Sequence, residues 1–166
     1  MSELGQTQRL PAVRFERTLP GTLETVWACL TDPAKLPAWY SEGATIEPAE
    51  GGAVFMAGGH IRGVVTQWRP HEKFAHTWNV FAPGQTLSAY PESYLTFDLE
   101  QAGDSVALTL THLPVLERFE AQNQMGWHTF LDILAATLSG EPVEEQRIYM
   151  ERNAAKYGVD LNRLQS

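Results

Sequence analysis

Apolar positions recur with two different periods along this chain, and the switches between them mark out its elements. Val13, Phe15 and Leu19 are separated by Arg14, Glu16 and Arg17, a period near two that predicts a first strand over 12–19, stopped by Pro20 and Gly21. Thr22 can then cap a short helix in which Leu23, Val26, Trp27 and Leu30 fall at helical spacing. Asp32 followed by Pro33 opens a second short helix that runs toward Trp39. From Ala44 to Thr111 the period returns to two, broken at Gly51-Gly52, Gly58-Gly59, Pro70 and Pro83-Gly84. Strands are expected near 44–48, 52–57, 60–68, 73–80, 92–100 and 105–112, and their short connections favour antiparallel neighbours. Leu95, Phe97 and Leu99 share one face, as do Val106, Leu108, Leu110 and His112, so one side of the sheet is apolar and has to be covered.

The stretch GWHTFLDILAATLSGEP, residues 126–142, supplies the cover. At about 100° per residue, Phe119, Trp127, Phe130, Leu131, Leu134 and Leu138 fall on one stripe of a helix over roughly 117–139. Gly140 and Pro142 end that helix, and a further amphipathic helix follows over about 143–157, ending at Gly158. The expected fold class is α+β: a helix-grip arrangement in which a curved antiparallel β-sheet wraps a long C-terminal helix, with two short helices after the first strand. The chain divides into a tail over 1–11, one domain over 12–140 and a helical extension over 141–166.

Bulk composition narrows the partners. A chain of 166 residues, 43% hydrophobic and 19% charged, can bury a core without metal or disulfide help. Its net charge of -8 supplies no cationic footprint, so neither nucleic acid nor an anionic membrane surface is expected as a partner. Cys29 is the sole cysteine, which rules out an internal disulfide and suits a reducing, cytoplasmic address. The start MSELGQTQRLPAV has neither a basic opening nor an apolar core like a signal peptide, and no apolar run approaches the roughly 20 residues of a membrane span.

The order and spacing of LPGTLETVWACLTDPAKLPAWY, EPAEGGAVF, GVVTQWRPHEKFAHTW, LTLTH and GWHTFLDILAATLSG, between Val13 and Gly140, resembles the START-like (SRPBCC) superfamily, in particular the group related to the activator of the Hsp90 ATPase. That resemblance implies a deep cavity between the curved sheet and its long helix, used by relatives for apolar or amphipathic small molecules. Members include enzymes, binding proteins and chaperone cofactors, so fold carries over better than activity.

Within such a cavity the candidate apolar walls are Trp39, Phe55, Trp78, Phe97, Trp127, Phe130 and Leu134, and the candidate polar anchors are His76, His112 and Asn123. His112 shares a face with Leu110, and His76 with Phe74 and Trp78; each is either a satisfied core residue or a cavity group. Asn123 lies inside the apolar stripe of the long helix, where its amide either bonds a neighbouring loop or points into the cavity. His128 and Asp132, at i and i+4, lie off that stripe and read as a solvated pair rather than an acid–base dyad. The five histidines show no metal-binding spacing, Cys29 has no adjacent base to activate it, and Ser41 sits in no nucleophile elbow. Neither metal nor cofactor is expected.

An empty dry cavity of roughly 300 Å³, at about 24 cal/mol per Å³, would extrapolate to about 7 kcal/mol, most of a typical domain's stability. Such a space must hold water on polar groups, hold a ligand, or be plugged by side chains. The reading that follows is non-catalytic binding of a small apolar or amphipathic molecule. The alternatives are a cyclase- or hydrolase-like enzyme using a cavity histidine as general acid or base, and a protein-docking module of the Hsp90-activator kind. The extension leaves room for a homodimer contact.

Overall fold

The structure is a computed structural model that describes residues 3–164; Met1 and Ser2 of the expected tail, and Gln165 and Ser166 of the expected extension, lie outside the described residues. Strand β1 (Val13–Pro20) leads into helix α1 (Leu23–Thr31), where the Thr22 hydroxyl accepts the Thr25 N–H at 3.2 Å as its cap. The second short helix is only a 3₁₀ turn, Leu36–Ala38, because Pro37 within it removes a backbone donor and shortens what the Asp32 cap began. Strands β2 (Thr45–Ile46), β3 (Ala53–Met56), β4 (Ile61–Arg69), β5 (Lys73–Val80), β6 (Ser93–Ala102) and β7 (Ser105–Leu113) follow. They form one seven-stranded sheet in the order β1-β7-β6-β5-β4-β3-β2, with every neighbouring pair antiparallel.

Curvature comes from identifiable places. The register of β4 on β5 shifts between Val65 and Gln67, a bulge that bends the strand. Gly63 lies against the backbone carbonyl of Thr77, where any Cβ would collide, so only glycine lets the two strands approach there. The register then lays the concave face out in rows. Val65, His76, Leu95, His112 and Val13 form one row across five strands, and Trp68, Phe74, Phe97, Leu110 and Phe15 form the next.

Helix α2 (Glu120–Ser139) follows a 3₁₀ turn, Glu117–Phe119, and ends at Gly140 in the left-handed region, φ 72°. Trp127, Leu131 and Leu134 are buried in the core it shares with the sheet. The single-stripe reading of α2 needs amendment, because Met125, Thr129, Ile133 and Ala136 are buried as well. Helix α3 (Gln146–Tyr157) packs against α2 and buries its own Tyr149, Asn153 and Ala154. Helix α2 is therefore the middle layer between sheet and α3.

Two expectations change in the core. Phe55 does not wall the interior: Val54 and Met56 take the inward positions of β3, and the opposite parity leaves Phe55 42% exposed on the outer face. The centre of the space between α2 and the sheet is filled by rings. Trp127 lies 5.4 Å from Trp78, 5.9 Å from both Tyr40 and Phe130, and 6.4 Å from Phe97 between centroids, while Phe74 and Phe97 stack at 4.7 Å. Such pairs add about 0.5–1.5 kcal/mol each beyond the area they bury. What room remains lies toward the N-terminal end of α2 and opens to solvent.

Candidate functional site: an aromatic groove at the start of helix α2

Three adjoining hollows of about 70, 460 and 170 Å³ share Trp78 and Asn123 in their walls. Local sequence builds each side. Strand β5 runs out at Val80, and the chain doubles back through Pro83-Gly84, pinned where the Val80 N–H donates to Ser88 Oγ (3.1 Å) and the Ala89 N–H donates to the Val80 carbonyl (2.7 Å). That return presents Tyr90, whose ring meets Phe119 edge-on at 5.0 Å. On the opposite rim the His60 ring donates from Nδ1 to the Phe81 carbonyl at 2.9 Å. Gly126 completes the helix side: a Cβ there would meet nothing within 4 Å, so the missing side chain is what leaves the 170 Å³ hollow open beside Trp127 and Phe130.

His112 and Ser93 lie deeper, in the wall of the 70 Å³ hollow, with His112 Nε2 2.8 Å from Ser93 Oγ. The distance is that of a serine–histidine dyad, yet the polarity is reversed. The Trp127 indole N–H, which can only donate, points at His112 Nδ1 from 3.1 Å. Nδ1 must then be the bare nitrogen, the ring proton sits on Nε2, and the ring donates to Ser93. Ser93 in turn donates to the Trp78 carbonyl at 3.4 Å. A base that activates serine must accept from it, as the bare Nε2 of a hydrolytic triad does. Burial, with the nearby His76 adding to it, lowers the His112 pKa to about 4, so the neutral ring prevails at neutral pH.

His76, wholly buried in the same row, holds the opposite tautomer. Its Nδ1 lies 2.9 Å from the Thr77 carbonyl, an acceptor only, so Nδ1 carries the proton and Nε2 is bare. Burial lowers its pKa to about 4. His76 Nε2 and the Tyr40 hydroxyl are buried without a protein hydrogen-bond partner among the described residues. Burial also holds Tyr40 as the neutral phenol.

Of the expected site residues, the structure brings Trp78, His112, Asn123, Trp127 and Phe130 to the hollows. Asn123 donates from Nδ2 to the Phe119 carbonyl at 3.0 Å and still borders all three. Phe97 and Leu134 belong to the packed core, His76 is sealed within it, and Trp39 spends its indole N–H on the Cys29 carbonyl at 2.6 Å. Sequence reasoning did not pick out Tyr90, Val80, Ser93, His60 or Gly126. The one signal on offer was Gly126, a helix-weakening residue in mid-helix with no turn to make. Cys29 is buried, and burial raises its pKa.

The pair His128 and Asp132 is not a solvated one. The His128 ring nitrogen Nδ1 lies 2.8 Å from the Tyr157 hydroxyl and Nε2 lies 3.6 Å from Asp132, while Asn153 donates to Asp132 (3.0 Å) and to Thr129 Oγ1 (3.2 Å). These groups fasten α3 to α2. Among the described residues no three His, Cys, Asp or Glu side chains gather as a metal site needs, and no helix is long and apolar enough to cross a membrane.

Comparison with known structures gives the same architecture. CalU16 from Micromonospora echinospora superposes with a TM-score of 0.69 at 21% identity, over 89% of this chain and 86% of that one. The protein encoded by gene BPP1335 of Bordetella parapertussis gives 0.68 at 23% identity, over 99% and 95%. PFC0360w, an HSP90 activator from Plasmodium falciparum, gives 0.64 at 19% identity, over 79% and 97%. At these identities the likeness speaks for the fold. No curated protein matches the sequence. The family model described as activator of Hsp90 ATPase homolog 1-like protein matches residues 21–139, from the turn before α1 to the last residue of α2, and the chain belongs to that family.

Proposed function

We propose that the protein binds a small apolar or amphipathic molecule in the groove at the start of α2 and does not transform it. The observation that carries this reading is a hollow of about 460 Å³, within the roughly 300–1,000 Å³ of small-molecule sites, walled by Trp78, Val80, Tyr90 and Phe119 and edged by Asn123. The same fold family hosts catalysts, but here the one serine–histidine pair at the site points its proton the wrong way for nucleophilic attack. Native mass spectrometry of the purified chain, followed by calorimetric titration of any released compound, tests the reading. We expect binding that Gly126→Leu weakens, because the new side chain fills the 170 Å³ hollow that adjoins the larger one at Trp78 and Asn123. Binding untouched by Gly126→Leu would place the ligand elsewhere, and turnover of the bound compound would replace the binding reading with an enzymatic one.

A docking role has one observation of its own. Tyr94 and Leu113 pair across β6 and β7 on the outer face and are 47% and 44% exposed, and Phe55 and Val64 are exposed on the outer face of β3 and β4. Loss of a partner from a Tyr94→Ser, Leu113→Ser variant that still binds groove ligands would support it.

A further inference from the structure

We infer that the groove selects an aromatic acid, its ring held among Trp78, Tyr90 and Phe119 and its anionic group at the rim beside Arg118; this rests on the groove being a ligand site.

The charge pattern carries the inference. The chain holds 20 acidic against 12 basic side chains, yet no Asp or Glu lines any of the three hollows that share Trp78 and Asn123. Two hollows elsewhere on the surface are of a different kind. One is bordered by Glu72, Asp98 and Glu100 together with Arg69 and Lys73, the other by Glu151 and Asp160 together with Arg147. A fixed cation, Arg118, stands against two rings of the groove wall without lining the hollows itself. Its guanidinium carbon lies 4.8 Å from the Phe119 ring centre and 5.3 Å from that of Tyr90, the two rings that meet at the groove wall. The side chain is exposed, and among the described residues no carboxylate comes within ion-pair distance of it, including its chain neighbours Glu117 and Glu120.

Two rings therefore flank this cation, whose forked N–H groups have no carboxylate partner among the described residues. A carboxylate satisfies that fork two bonds at a time, which a neutral hydroxyl cannot. Apolar walls without an acid favour a planar apolar body, and an anion at the rim meets no acidic residue of the lining. On the inner side Asn123, with one amide hydrogen committed to Phe119, keeps its carbonyl oxygen for a donor on the ligand.

The test is calorimetric titration with two probes of matched ring size, naphthoate and naphthylmethanol, on the full chain and on Arg118→Gln and Gly126→Leu. Naphthoate should bind roughly tenfold more tightly than the alcohol, the scale of one charge-assisted contact at an exposed rim. Arg118→Gln should remove that preference and leave the alcohol's affinity within about twofold, while Gly126→Leu should weaken both probes. Equal affinity of the two probes for the unaltered chain, or a preference that survives Arg118→Gln, overturns the acid selectivity and leaves the groove standing as a ligand site. Binding of neither probe, or of both undiminished in Gly126→Leu, overturns the selectivity and the groove assignment together.

Discussion

Two histidines in one row of the sheet, His76 and His112, are separated only by Leu95, yet their neighbours force opposite protonation patterns on them. Nitrogen NMR should find the proton of His112 on Nε2 and that of His76 on Nδ1; a proton on Nδ1 of His112 would restore the hydrolytic polarity and with it the enzyme reading. The sequence placed both rings on the apolar face but not their partners, because Trp127 reaches His112 from 15 residues along the chain. The same geometry spoils an otherwise obvious experiment. His112→Ala would strand the Trp127 N–H and loosen Ser93, at about 1–3 kcal/mol per buried unpaired group, so lost binding in that variant would report damage rather than contact. Phe55 lies outside by parity alone, since one step along a strand exchanges the inner for the outer face and composition does not say which step is inward.

At the level of elements, two faces of α2 answer to different demands, one toward the groove and one toward α3. Gly126 weakens the helix for the sake of the hollow, and Gly126→Ala, with open space for its Cβ and no positive φ to forbid it, should raise stability by roughly 0.5–1 kcal/mol in urea unfolding. Its ligand affinity should fall as the hollow shrinks. Toward α3, that helix's Asn153 is wholly buried and bonded to Thr129 and Asp132 of α2, so Asn153→Ala should lower stability by about 1–3 kcal/mol and the melting temperature with it. An unchanged melting temperature would mean that α3 is held without this clamp. The strands, α1 and the length of α2 were legible because apolar periodicity reports burial against a sheet. The docking of α3 was not, because His128, Asp132, Asn153 and Tyr157 form a polar contact, and polar side chains read as a face turned to water until something is seen to cover them.

For the molecule as a whole, the two buried rings make stability depend on pH. Folding holds both His76 and His112 at about 4 against an ordinary value of 6.5, so between those values the unfolded chain binds more protons. The stability tied to their neutral forms is complete above 6.5 and is lost as pH falls through the interval, by up to about 1.4 kcal/mol per pH unit for each ring. His128 is shifted in the same direction, mainly by burial, with Asp132 opposing and Arg17 and Lys156 assisting. Urea midpoints should drop from neutral pH toward pH 5, and the drop should be shallower in His76→Leu, which removes one of the rings; an identical slope would take His76 out of the account. The sheet order has a separate consequence for crowded conditions. One border strand, β2, is two residues long, and the other, β1, carries Arg14, Glu16 and Arg17 and closes on Pro20. Neither border offers a long uncharged run of free backbone, so recruiting strands from other chains into fibrils is discouraged at both margins.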